Sequence, residues 1–507
     1  MTIGRRQFLT GTLTLAGATA LGGSLLGCRD SGGNTSAPTT SPMATNPEVT
    51  PKGEPTGLRA RAAAPARFRS SDTHLEAGYL WASAQALSLV RRGDAVGDWY
   101  EAALPNREAF CMRDTAHQTS GAAVLGLADV SKNMLTKFVQ GISAERDWCS
   151  YWEIDRHDRP APVDYTSDQD FWYNLPANFD LIDCCWRQYL WTGDKDYLEH
   201  PDFVEFYERT VSDYVRRWDR TGNGIMDSTA DLSRRGIASY DEALSNLQTA
   251  SDQIVIQASG YRAYGAMLAL RGEHDRADMM QQEASRLLNL YNQEWWNDAG
   301  NHSYGALLRD GSKTDIEYYY GLYFGAYNNS DHRQKAMATL LAHPAPSVEY
   351  LSHFPDICYR YGLAEQGHQQ LLRLTAPELP RRDYPEASFC AVGAYVAGLM
   401  GISADARSNS VSTRPQLSQA TEWAEIDELS LLGRRIKVSH RGNGDTELTL
   451  IAGEPLQWRA MFAAEAPVLK LNGQAMTTKQ CFAEGEIKLS YLDVPLTPGQ
   501  SARVQLG

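Results

Sequence analysis

Long hydrophobic runs are scarce in this 507-residue chain. The one apolar stretch near the N-terminus, ending at Leu26, is short and rich in Gly and Ala. It is too weakly hydrophobic to make a permanent membrane span. Basic residues are also in short supply. The 48 Lys and Arg against 62 Asp and Glu leave a formal charge of -14, which argues against a nucleic-acid partner. Cysteines number eight, with no Cys-x-x-Cys pair and with Cys184 and Cys185 adjacent. That pattern excludes a Cys-based zinc site and offers no disulfide framework, although a single disulfide stays open. Neither a phosphate loop nor a dinucleotide fingerprint occurs, so no cofactor is expected. Asp219 to Asp227 lacks the spacing and the closing Glu of an EF-hand and reads as a helix–helix turn; no metal is expected.

What is present begins at the N-terminus. Arg5-Arg6-Gln7-Phe8-Leu9 has the form of a twin-arginine export signal. Leu25-Leu26-Gly27-Cys28 resembles a bacterial lipobox. The resemblance implies cleavage before Cys28, lipidation of that residue, and anchoring of the exported protein to the cell envelope membrane. Residues 1–28 are therefore expected to be the signal. Residues 29–70, with much Gly, Ser, Thr, Pro and Asn, are expected to be a disordered tether.

Two architectures follow. Over 71–405 the apolar period is helical: Met134, Leu135, Phe138 and Val139 share a face, as do Tyr207, Val211, Tyr214, Val215 and Trp218. Ile254–Leu270 and Ser388–Ile402 are instead small and apolar on nearly all sides, which requires burial on all sides. Amphipathic outer helices around small apolar inner ones predict a mainly α protein with an (α/α)6 toroid. Over 406–507 the period becomes two, as in Ile436/Val438 and Leu448/Leu450, with a hairpin turn at Asn472-Gly473. This predicts a small C-terminal β-sandwich, joined through Asp405 to Gln419.

Chemistry is concentrated between Cys111 and Trp191, where carboxylates alternate with Trp, Tyr, Asn, His and Arg. Flat aromatic faces suit pyranose rings, fixed polar groups suit hydroxyls, and carboxyls suit acid/base work. The helical toroid followed by a β module resembles the six-hairpin glycosidases, the group that includes glucoamylases and α-L-rhamnosidases. Three places carry the resemblance. Met112-Arg113-Asp114-Thr115 looks like an Arg-Asp element that holds the terminal sugar. Trp152-Glu153 looks like the Trp-Glu of a general acid. Tyr384-Pro385-Glu386-Ala387 opens the last buried helix, where such families keep a base. The rhamnosidase-type acidic motif is absent and the glucoamylase base motif does not match, so no sugar is assigned.

Glycoside cleavage needs two carboxyl groups flanking the bond. Glu153 is the expected acid, with Asp155 beside it on the same strand face to raise its proton affinity. Glu386 is the expected base, kept ionised by exposure and by the helix N-terminus. Arg113 and Asp114 are expected to clamp the sugar, with His117 one turn along. Trp152, Asp168, Asp170, Trp172 and Asn174 complete the expected binding residues. Asp168 or Asp170 is the chief alternative acid; Asp241 and Glu242 carry less weight, and Tyr318-Tyr319-Tyr320 with Tyr323 are further cavity candidates. The expected activity is hydrolysis of terminal sugars, with inversion. A polysaccharide lyase using His117, Tyr151, Tyr165 and Asn174 is the alternative, and a non-catalytic glycan-binding lipoprotein is the third reading. The carbohydrate substrate and the membrane are the expected partners; oligomeric state stays open.

Overall fold

The computed structural model describes residues 65–228, 235–242, 244, 246–316 and 319–507. The signal with Cys28, most of the tether, Arg234 and Tyr318 lie outside the described residues.

Twelve of the fourteen α-helices of the described residues alternate between an outer and an inner ring. In chain order they are α1 (Thr73–Ser88), α2 (Met112–Val124), α3 (Ala128–Gln140), α4 (Ala177–Thr192), α5 (Pro201–Arg209), α6 (Ser251–Leu270), α7 (His274–Glu294), α8 (Tyr320–Tyr323), α9 (Ser330–Ala342), α10 (Val348–Arg360), α11 (Ala364–Thr375) and α12 (Pro385–Gly393). Even-numbered helices touch in the order α2, α4, α6, α8, α10, α12, and α12 packs back on α2, so the inner ring closes. Burial separates the rings. Sixteen of the twenty residues of α6 are buried, whereas the outer α7 buries five of twenty-one along one stripe. This is the (α/α)6 toroid. Among the described residues, no helix is long and apolar enough to cross a membrane.

Small residues let the inner helices approach. A Cβ added at Gly121 of α2 would lie 1.9 Å from the Phe389 carbonyl oxygen of α12, so only glycine permits this contact. Because His117 precedes Gly121 by one turn and Glu386 precedes Phe389 by one turn, the same close approach brings those two side chains together.

The β-sandwich has a seven-stranded and a five-stranded sheet. Inward positions such as Ile436, Val438, Leu448, Leu450 and Trp458 are fully buried. Two expected boundaries are corrected. Arg67–Ser70, assigned above to the tether, is the edge strand of the larger sheet, antiparallel to Trp423–Leu431 with Phe68 opposite Ile426. Phe68 and Ser70 point inward while Arg67 and Arg69 point out, an alternation too short to stand out beside the low-complexity tail. The joint at Asp405 to Gln419 itself contributes to the sandwich. Ser403–Asp405 and Ser410–Thr413 pair with each other, and the second runs parallel to Leu456–Phe462 in the smaller sheet.

Sandwich and toroid share hydrogen bonds and one core. The Ala406 amide donates to the Leu190 carbonyl at 3.2 Å and the Leu432 amide to that of Trp191 at 2.9 Å. His440 Nε2 donates to the Met400 carbonyl at 2.9 Å. Burial pushes the His440 imidazole down to about 4, so it is a neutral core residue. The seven cysteines from Cys111 to Cys481 are all free thiols.

Candidate active site

The first turns of the inner helices converge on one mouth of the toroid. Arg113 comes from α2, Tyr240 and Asp241 from the loop before α6, Asp252 from α6, Tyr319 and Tyr320 from the start of α8, Glu349 and Tyr350 from α10, and Glu386 from α12. Together they line a narrow pocket with room for about one water molecule. The lining sets four carboxyl groups against one guanidinium. Parallel helices directing their N-termini to one place favour negative side chains there.

Glu386 lies at the centre. Its Oε1 accepts from His117 Nδ1 at 2.7 Å and from His353 Nε2 at 3.1 Å. The other ring nitrogen of His117 stands 3.1 Å from Asp180 Oδ2 of α4, and the Tyr240 hydroxyl donates to that same oxygen at 3.1 Å. Burial alone would raise the Glu386 carboxyl; the hydrogen bonds and charges of the two histidines reverse this and hold it well below the usual carboxylate range. Burial likewise opposes charge on His117, but the Asp180 and Glu386 carboxylates raise it to about 9. Burial lowers His353, aided by the charges of His117 and Arg113 and resisted by its bond to Glu386. A cationic His117 and a neutral, donating His353 therefore serve one ionised carboxylate. The expectation that exposure keeps Glu386 ionised is corrected: the residue is 1 % exposed, and the histidines do this instead.

Among the described residues, His117, His353 and Glu386 are the one group of such side chains close enough to share an ion. Their contacts are those of direct hydrogen bonds centred on a single oxygen, and Arg113 already places a cation in the same cavity.

Arg113 is buried between carboxylates. It bonds Asp114 Oδ1 at 3.1 Å, lies 3.8 Å from Glu349, and covers the Tyr240 ring at 5.2 Å. Tyr384 donates to Asp114 at 3.2 Å. Asp252 is fully enclosed; burial raises it to about 7 against three hydrogen bonds, from the Tyr240 and Gln253 amides and the Ser239 hydroxyl. It thus grips the turn that carries Asp241.

The other sequence-derived residues fall around this centre. Trp152 packs its ring 6.3 Å from that of Tyr240, and its carbonyl accepts the first amide of α2. Glu153 and Asp155 are buried in a short strand paired with Ala109–Cys111, outside the cavity lining. Asp155 holds the following turn, accepting from the His157 amide at 2.8 Å. Asp168 is tied to Arg146 at 2.8 Å and Tyr165 at 2.7 Å, and Asp170 is exposed. Trp172 donates to Asn174 at 3.0 Å, and Asn174 donates to the Ser239 carbonyl at 2.6 Å, so this pair buttresses the Asp241 turn from behind. Asp219 accepts the amides of Gly222, Asn223 and Gly224, as a turn residue does.

Sequence reasoning missed Asp180, Tyr240, Asp252, Glu349, Tyr350 and His353. A signal existed: each ionisable one except Tyr240 sits within the first two turns of an inner helix.

No known family profile and no curated protein matches the sequence. Solved structures do match in shape. The GH78 family rhamnosidase of Bacillus sp. GL1 superposes with a TM-score of 0.56 at 14% identity, over 78% of this chain and 41% of that one. The α-L-rhamnosidase of Dictyoglumus thermophilum gives 0.56 at 13%, over 87% and 50%. A putative kojibiose phosphorylase from human microbiome gives 0.51 at 9%, over 86% and 68%. This chain spans half or less of the length of those two rhamnosidases. At such identities the likeness is one of architecture, an α/α toroid with an attached β domain.

Proposed function

We propose that this protein is a glycoside hydrolase that removes a terminal sugar with inversion, Glu386 acting as base and Asp241 as acid. The observation that carries the reading is Glu386 itself, a carboxylate excluded from water yet kept ionised by two imidazoles at the wall of a cavity. A general base must start ionised, and the two imidazoles ensure that state at neutral pH. Asp241 lies in the loop before α6, which stands three places from α12 in the inner ring, and the reading requires the two carboxyls to face each other across the cavity. An inverting enzyme holds such a pair roughly 6.5–9.5 Å apart. Asp252 is the less suitable acid, because its oxygens are taken up in holding the turn. The acid role read from sequence for Glu153 passes to Asp241 on the ground of cavity position. Arg113 and Asp114 remain the proposed sugar clamp.

Charge favours a neutral sugar. Asp241, Glu349 and Glu386, with Asp252 partly protonated, face one already paired guanidinium, and this excess of carboxylates weighs against a uronate or a phosphate. A panel of aryl glycosides, tested with and without phosphate and beside uronate-containing polysaccharides, examines the proposal. It expects phosphate-independent aryl release that is lost in Glu386→Gln and Asp241→Asn, and an inverted anomer by NMR. Unsaturated uronate absorbing in the ultraviolet would instead establish a lyase. Unchanged glycan binding with no turnover by any variant would leave a binding protein. We further propose export by the twin-arginine route and anchoring through Cys28; palmitate labelling that persists in Cys28→Ala would refute the anchor.

A further inference from the structure

We propose that His117 is a positioning residue that fixes the direction and charge of the Glu386 carboxylate and joins it, through Asp180 and Tyr240, to the turn carrying Asp241. The proposal rests on the reading of Glu386 as base, and its geometry is a continuous buried chain. Tyr240 donates to Asp180, Asp180 faces His117 Nε2, and His117 Nδ1 meets Glu386 Oε1 at 2.7 Å. Four elements contribute: the loop before α6, then α4, α2 and α12. Tyr240 also anchors the turn from its backbone, since its amide donates to Asp252.

The imidazole of His117 contacts no open space: its side chain is fully buried. It therefore acts on a substrate only through its neighbours. Asp180 from α4 and Glu386 from α12 attract a proton. His353 from α10, with ring centroids 4.7 Å apart, opposes one. Tyr323 from α8 packs edge-on at 5.7 Å. Glu386 hydrogen-bonds Nδ1 and the Asp180 carboxylate stands 3.1 Å from Nε2, so a carboxylate faces each ring nitrogen and both favour the imidazolium. A cation clamped from both sides cannot rotate, and Glu386 cannot swing without breaking a charged hydrogen bond. Because the hydrogen bonds of His117 and His353 both fall on Oε1, the second oxygen is the one left to address a water.

The test needs no substrate for its first arm. The full chain, labelled with 15N-histidine, is followed by NMR, with the His117 resonance assigned by its loss in His117→Asn. The expected result is imidazolium at pH 7, titrating near pH 9, with a midpoint lowered by a unit or more in Glu386→Gln and in Asp180→Asn. A neutral ring at pH 7, or a midpoint that Glu386→Gln does not move, overturns the proposal. The second arm uses whichever aryl glycoside is turned over. In His117→Leu, kcat falls about 100-fold and the acid limb of kcat/KM moves toward neutral pH, while KM changes less than twofold. His117→Asn, which keeps a donor where Nδ1 stood, recovers part of the rate. Adding His117→Leu to Glu386→Gln costs nothing further; an additive loss overturns the proposal. Should Glu386→Gln keep full activity, the base assignment fails while the NMR arm still decides the clamp. One equivalent of divalent metal in the purified protein, whose removal abolishes turnover, also overturns it.

Discussion

Replacing Gly121 with alanine should damage stability and catalysis together. The new Cβ would stand 1.9 Å from the Phe389 carbonyl oxygen and 2.7 Å from its carbon. Non-bonded carbon needs about 3.5 Å, so α2 and α12 must separate by roughly 1.5 Å. The obstacle is backbone inside a helix and cannot rotate away. Such overpacking costs ~3 kcal/mol at the upper end of its usual range, while alanine returns ~1 kcal/mol of helix propensity. The net expectation is a loss of ~2 kcal/mol, read as a lower urea midpoint at constant slope. The same separation stretches the 2.7 Å contact between His117 and Glu386 beyond hydrogen-bond length, so turnover should fall at least tenfold in protein that is still folded. Gly393 supplies a matched control on the same helix pair. A Cβ there meets the Gly121 amide nitrogen at 3.4 Å, an ordinary contact, so Gly393→Ala should be neutral or slightly stabilising. If the two variants unfold at the same urea concentration, the reasoning about this helix contact is wrong.

Three further outcomes are expected. Asp241→Asn should lower turnover about 1000-fold and Glu153→Gln less than tenfold; the reverse order in aryl glycoside assays would restore Glu153 as the acid. His117 is raised in the folded protein, so its contribution is complete below pH 6.5 and is lost as pH rises toward about 9. That displacement corresponds to ~3 kcal/mol, and urea unfolding at pH 6 and pH 9.5 should show a smaller difference in His117→Asn than in the parent. Phe68 is buried against Tyr79 and Tyr395, with ring centroids 5.5 and 5.0 Å away, so Phe68→Ala should cost ~3–5 kcal/mol. A change under 1 kcal/mol would return Arg67–Ser70 to the tether.

The toroid was legible because its physics is written as composition. A helix enclosed on every side, such as α6, can hold only small or apolar residues, and that pattern survives without any partner being known. The sandwich was legible through its period of two. The strand Arg67–Ser70 was not, since four alternating residues carry little signal and its partner lies about 350 positions away. Strands at Ser403–Asp405 and Ser410–Thr413 failed for the same reason: their meaning is a pairing, and pairing is not a local property.

The site divides in a different way. Glu386 was singled out from sequence as a base kept ionised by exposure, and the burial of the residue removes that physical ground. A glutamate after proline at a helix start is normally a solvated residue stabilised by the helix N-terminus, and nothing nearby in sequence signals burial. What determines its behaviour are His117 and His353, 269 and 33 residues distant. Once the chain closes into a ring, however, these positions stop being remote, because each occupies the early turns of an inner helix and all such turns meet at one mouth. Asp180 within Phe179-Asp180-Leu181 and Asp252 within Ser251-Asp252-Gln253 are then not isolated core anomalies. A charged residue near the start of an otherwise apolar inner helix is expensive unless a partner waits across the ring, so each such residue implies another. Applied to α10, that rule selects Glu349 and His353, four residues apart on one helical face, and the second of these is one of the two histidines that bond Glu386.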